Sequence, residues 1–153
     1  MKWSDNMSNS TNRSRLLRRR PRLALCQEDF NILEALAEGG FRRNPELANR
    51  LFDELSRARI LPAKKLPSHT VALGRSVTYR DETDGQETTV KLVLPADADI
   101  SQQRVSVMTP IGIALIGLAE GAVFHWKTRD GAFRAFTVLC VSSGDTHAET
   151  LLQ

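Results

Sequence analysis

Few residues in this 153-residue chain combine the types and spacing that chemistry demands. There is no Gly-x-Ser-x-Gly nucleophile elbow, no His-Glu-x-x-His pair and no phosphate-binding Gly-x-x-x-x-Gly-Lys loop. Gly112, Gly117 and Gly121 are spaced wrongly for a dinucleotide loop. His69, His125 and His147 fall in three separate segments without ligand spacing, so each reads as a surface or core-edge side chain. Cys26 and Cys140 lack Cys-x-x-Cys spacing and read as reduced structural residues. The expectation is a binding protein with no catalytic group, no cofactor and no metal.

Two clusters suit contact with a partner. The first runs from Asp97 and Asp99 to Met108, Thr109, Pro110 and Ile111. Thr109-Pro110 is a helix start, a capping hydroxyl followed by proline at the first helical position. The same loop would present Met108, Pro110 and Ile111 as a small apolar anchor patch. Asp97 and Asp99 read equally well as solvated turn residues or as part of that surface. The second cluster is Glu38, Phe41, Arg42, Arg43 and Glu46. Acidic residues near helix ends are ordinary, and two adjacent arginines repel a divalent cation.

These clusters need elements to position them. Phe30, Leu33, Leu36 and Ala37 recur at helical spacing, which predicts a helix over Gln27 to Glu38 ended by Gly39-Gly40. After the tip Phe41-Arg42-Arg43, Asn44 caps and Pro45 starts a second helix to about Ile60, with the stripe Leu47, Leu51, Leu55 and Ala58. So short a loop predicts an antiparallel helical hairpin. Leu61 to Ser68, with Pro62 and Pro67, reads as an extended linker. From Thr70 the pattern is β-rich, with hairpin turns at Asp84-Gly85 and Asp130-Gly131 and strands over Thr89 to Leu94, Val123 to Lys127 and Phe133 to Val141. Between the pairs a helix opens at Thr109-Pro110, uses Ile113, Leu115, Ile116 and Leu118, and stops before Gly121.

Charge separates the chain further. Met1 to Arg22 holds seven of the 21 cations and one of the 18 anions, leaving 14 cations against 17 anions over Leu23 to Gln153. The basic pI thus belongs to a Ser-, Asn- and Arg-rich tail whose composition predicts disorder. The remainder carries no basic stripe, so direct nucleic-acid binding is not expected. After Arg18-Arg19-Arg20 the only apolar stretch is Leu23 to Cys26, too short for a signal peptide, and none of the chain has the ~20 apolar residues of a membrane span. A cytoplasmic protein is expected.

Pro95-Ala96-Asp97-Ala98-Asp99-Ile100-Ser101, then Arg104-Val105-Ser106-Val107-Met108-Thr109-Pro110-Ile111-Gly112, then Ala114-Leu115-Ile116-Gly117, resembles in order the C-terminal domain of the Gre transcript-cleavage factor family. Val71 to Val77 and the Asp84-Gly85 turn fall into the same frame, so the resemblance covers Val71 to about Ser143. It implies an FKBP-like domain that docks on the rim of the RNA polymerase secondary channel. The Ser/Thr-Pro loop of that contact maps onto Met108, Thr109, Pro110 and Ile111. Gre factors carry a coiled-coil finger about twice as long, whose acidic tip helps hold a metal at the polymerase active site. The short finger here resembles more closely the regulator of nucleoside diphosphate kinase branch. No run of aromatic residues suggests a prolyl-isomerase pocket.

The expected fold class is therefore α+β, a short N-terminal antiparallel helical hairpin followed by an FKBP-like antiparallel sheet packed on one helix. The expected divisions are a disordered basic tail (1–22), the hairpin (23–61), a linker (62–69) and the Gre-type domain (70–153). Three functions stay open: a polymerase-docking regulator without cleavage activity, a regulator that binds a metabolic enzyme such as nucleoside diphosphate kinase, and an FKBP-like isomerase or chaperone.

Overall fold

The computed structural model describes residues 21–127 and 131–143. The tail (apart from Pro21 and Arg22), Asp130 and His147 lie outside the described residues. The apolar stretch before the first helix is strand β1, Ala24–Cys26, which pairs in parallel with β2, Arg59–Leu61. Between them lie helices α1, Gln27–Gly40, and α2, Pro45–Ser56.

Cys26 caps α1, its Sγ accepting the Asp29 N–H at 3.5 Å, and Glu28 and Asp29 suit the positive first turn. The helix continues through Gly39 and Gly40, where the sequence predicts an end. Gly40 is instead a packing position, because the Met108 methyl lies 3.1 Å from where a Cβ would stand. Asn44 caps α2 by accepting the Leu47 N–H at 3.2 Å. This helix stops at Ser56 and not near Ile60. Residues 59–61 leave it to pair with β1, favoured by β-branched Ile60 and by the restriction that Pro62 places on Leu61. The buried face is accordingly Ala48, Leu51 and Leu55, with Leu47 and Ala58 half-buried.

The segment before the sheet is not fully extended, since Ala63–Lys65 forms one 3-10 turn and Leu66 is buried against Cys26 and Ala72. The sheet contains β3 (Arg75–Asp81), β4 (Glu87–Val93), β5 (Arg104–Ser106), β6 (Val123–Lys127) and β7 (Phe133–Ser143), in the order β5-β4-β3-β7-β6. It is mixed where the pattern predicts it antiparallel. β4 and β5 run parallel because the chain returns through Pro95–Gln103 before β5 begins. At the β3–β4 turn Gly85 has φ +75°, which suits glycine, and its N–H donates to the Asp81 carbonyl at 2.7 Å.

The helix that follows, α3, is Pro110–Leu115 and ends earlier than predicted. Gly117 takes φ +84°, and Leu23 packs so closely that a Cβ there would be 2.8 Å from the leucine Cβ. Ile116 and Leu118 are buried all the same. One apolar cluster joins Leu23 and Leu25 to Leu33 and Leu51 of the helices and to Val71, Leu92, Ile113, Leu115 and Val138.

Candidate docking site

The loop before α3 is held by short local hydrogen bonds. Thr109 Oγ1 donates to the Ser106 carbonyl at 2.7 Å and accepts the Gly112 N–H at 3.1 Å, and the Met108 N–H donates to Ser106 Oγ at 3.0 Å. Gly112 is buried, and a Cβ there would lie 2.6 Å from the Ser106 carbonyl oxygen. Such crowding holds α3 down on the turn and leaves Pro110 exposed, with Met108, Thr109 and Ile111 half-buried.

Met108 connects this loop to the second cluster, its methyl resting on Gly40 beside the tip. There Phe41 stacks on Phe52 of α2, centroids 5.2 Å apart and planes 22° from parallel. Sequence reasoning missed Phe52, which stands beside buried Ala48 and Leu55 at the margin of the helix's apolar face and packs against the core. Glu38, Arg42, Arg43 and Glu46 are all exposed. Among the described residues no group of three His, Cys, Asp or Glu is placed to hold a metal ion.

Asp97 and Asp99 stand elsewhere on the same sheet edge. Asp97 closes the 3-10 turn Pro95–Asp97, and Asp99 Oδ1 accepts from Ser101 N–H at 3.1 Å and Ser101 Oγ at 2.6 Å. Their loop pairs with the start of β5, while Met108 lies past its other end. From Arg104 to Met108 is at most about 13 Å at ~3.3 Å per residue.

Perturbed groups lie away from both clusters. Burial raises the Asp29 carboxyl, opposed by the hydrogen bond that its Oδ2 accepts from Leu73 N–H at 3.3 Å. Burial likewise raises the Cys26 thiol. His69 is exposed and His125 half-buried, far apart in sequence and in different segments. The three aromatics Tyr79, Phe124 and Phe136 pack on one another within the core, with centroids 5.9 and 5.3 Å apart. Among the described residues no helix is long and apolar enough to cross a membrane.

Comparison with known proteins gives these features a context. Residues 66–143 match the family model described as transcription elongation factor, GreA/GreB, C-term. The regulator of nucleoside diphosphate kinase of Escherichia coli (strain K12) is 31% identical over 120 residues, 78% of this chain and 88% of that protein. Transcription elongation factor GreA of Chelativorans sp. (strain BNC1) is 32% identical over 126 residues, 74% of this chain and 80% of that protein. Among solved structures, the prokaryotic transcription elongation factor GreA/GreB from Nitrosomonas europaea superposes with a TM-score of 0.62 at 28% identity, covering 80% of this chain and 99% of that one. The matched span contains the Thr109-Pro110 loop, the acidic loop and all five strands of the sheet, and by these similarities the chain belongs to the GreA/GreB transcription elongation factor family.

Proposed function

We propose that this chain is a regulator that docks on the rim of the RNA polymerase secondary channel through Met108, Thr109, Pro110 and Ile111, without stimulating transcript cleavage. The observation that carries this reading is the construction of the loop, an exposed proline on a turn fixed by Thr109 and Gly112. Such a patch can anchor a partner without first paying to order itself. Asp97 and Asp99 belong to the same proposed surface. The basic tip, Arg42 and Arg43 between Glu38 and Glu46, supports the absence of cleavage activity. With this function goes an FKBP-like domain (70–153) joined through 62–69 to a helical hairpin (23–61) behind a basic tail (1–22). The protein would work in the cytoplasm, without catalytic activity, cofactor or metal.

The test is binding of purified RNA polymerase to wild type and Pro110→Asp. The variant should bind about 10-fold more weakly, ~1.4 kcal/mol, with an unchanged far-UV spectrum. Wild-type affinity in a folded Pro110→Asp would move the interface elsewhere.

A second reading, contact with nucleoside diphosphate kinase, is favoured by the likeness to the Escherichia coli protein named for that regulation. Purified kinase in the same assay decides it, because binding to kinase without binding to polymerase selects the second reading. The isomerase reading has less support, since Phe124 and Phe136 are buried in the core.

A further inference from the structure

We propose that Ile100 is a second docking anchor, an apolar knob beside Asp97 and Asp99 that enters an apolar slot rimmed by lysine or arginine on the partner. The inference rests on the polymerase-docking reading and extends the surface used for it.

Ile100 is 87% exposed, against 61% for Phe133 and 45% for Val123, so it is the most exposed large apolar side chain among the described residues. A lone exposed isoleucine needs no explanation by itself. What sets this one apart is its mounting. Asp99 and Arg104 exchange two backbone hydrogen bonds of 2.9 Å, closing the loop at its base. The Ile100 carbonyl accepts the Gln103 N–H at 2.9 Å, and the Gln103 carbonyl accepts the Lys91 N–H of β4 at 2.9 Å. Gln103 completes the turn at φ +59°, the one described non-glycine residue with positive φ. The backbone under Ile100 is therefore tied to the edge strand β5 and to its neighbour β4. A knob held this way loses little conformational freedom on binding.

Its position gives it a partner. β5 is the edge strand, with Ile100 at one end and the Met108–Ile111 loop at the other. Arg104 and Met108, which bound the strand and the bend that follows it, are at most about 13 Å apart at ~3.3 Å per residue. An ordinary interface covers about 800 Å² on each side, a disc roughly 30 Å across. A disc of that width centred on β5 covers the ground to either side of the strand, where the Ile100 turn and the Met108–Ile111 loop begin.

Charge selects the chemistry of the slot. Asp97 and Asp99 are exposed, and the Asp97 carboxylate has no hydrogen-bond or ion-pair partner among the described residues. Against these two carboxylates stands one exposed cation, Arg104 opposite Asp99, so the loop keeps a net negative charge that favours a basic rim and repels an acidic one. A second copy of this chain would bring the same carboxylates together, and Leu23 to Gln153 carries 14 cations against 17 anions. Self-association through this knob is disfavoured on both counts.

The experiment measures Kd for purified RNA polymerase with the full chain and the variants Ile100→Ser, Ile100→Leu, Asp97→Lys and Pro110→Asp. Ile100→Ser should raise Kd about 10-fold, Ile100→Leu should stay within about 2-fold, and Asp97→Lys should lower the association rate about 10-fold at low salt. Thermal midpoints should not move, since both side chains are exposed. Wild-type affinity in Ile100→Ser while Pro110→Asp loses binding would overturn the anchor and leave the docking loop standing. Failure of the wild-type chain to bind polymerase would overturn both. A wild-type dimer that Ile100→Ser dissociates, at unchanged polymerase affinity, would assign the knob to a second copy and overturn the proposal as well.

Discussion

A methyl group on Gly112 would stand 2.6 Å from the Ser106 carbonyl oxygen and 2.8 Å from Val107 Cα, both backbone atoms with little room to yield. Gly112→Ala should therefore lift α3 from its turn and cost about 1–3 kcal/mol, the usual range for overpacking. Calorimetry should show the midpoint falling by roughly 3–10 °C; an unchanged midpoint would mean that the turn has slack. Asp29 makes a different kind of prediction. Because burial raises its folded pKa, folding favours the protonated form, and the associated stability is present below the unfolded value of ~4 and is lost as pH rises through the raised value. Asp29→Asn keeps an oxygen to accept the Leu73 N–H but cannot ionise. Wild type should thus lose stability relative to Asp29→Asn as pH rises above the unfolded value of ~4, read from urea midpoints, and a pH-independent gap would contradict this account. Chemistry at this scale was partly legible. Thr109 and Pro110 announced the cap and the first helical residue, whereas Ile100 stood inside a quoted motif with nothing in its residue type to mark it as the most exposed apolar side chain.

Strand β1 is the element that ties the helices to the sheet. Its Ala24 N–H donates to the Gly117 carbonyl at 2.9 Å, the Arg59 N–H donates to the Leu23 carbonyl at 2.9 Å, and Leu25 is fully buried. Leu25→Ala should cost about 2–5 kcal/mol. Deleting Met1 to Arg20 should leave the midpoint within about a degree, because that composition offers little apolar area to bury. Thermal denaturation of the two proteins checks the contrast, and a neutral Leu25→Ala would show that β1 contributes little. The sequence indicated the long strands and all three helix starts through periodicity and caps. It did not indicate β1 and β2, since three-residue strands are too short to show a period and Arg59 to Leu61 continued a helical stripe. The early end of α3 was hidden for a related reason. Ile116 and Leu118 are apolar because they are buried, and burial at that point comes from the approach of Leu23 to Gly117, a contact 94 residues apart in the chain.

At the scale of the whole molecule, the proposed function depends on what the helices can reach. α1 has 14 residues and α2 has 12, which at ~1.5 Å per residue gives lengths of roughly 21 and 18 Å. The resemblance to Gre factors implies a finger about twice as long for carrying carboxylates down the secondary channel. A metal positioned for in-line attack tolerates little error, and a misplacement of ~1 Å can cost ~100-fold in rate. A shortfall of a whole finger half is not recovered by adjusting side chains. The tip chemistry leads to the same result independently, because exposed Arg42 and Arg43 repel the divalent ion that Glu38 and Glu46 would attract. The proposed docking would use other residues, the loop at Pro110 and the proposed anchor at Ile100, so it should persist where cleavage does not. Added to a stalled elongation complex with magnesium, the purified chain should leave RNA length unchanged on a gel. Added together with an acid-tipped cleavage factor, it should slow the shortening of RNA as its concentration rises, and Pro110→Asp should relieve that inhibition. Transcripts shortened by the chain alone, and no longer shortened by Glu38→Ala or Glu46→Ala, would make it a cleavage factor and overturn the proposal.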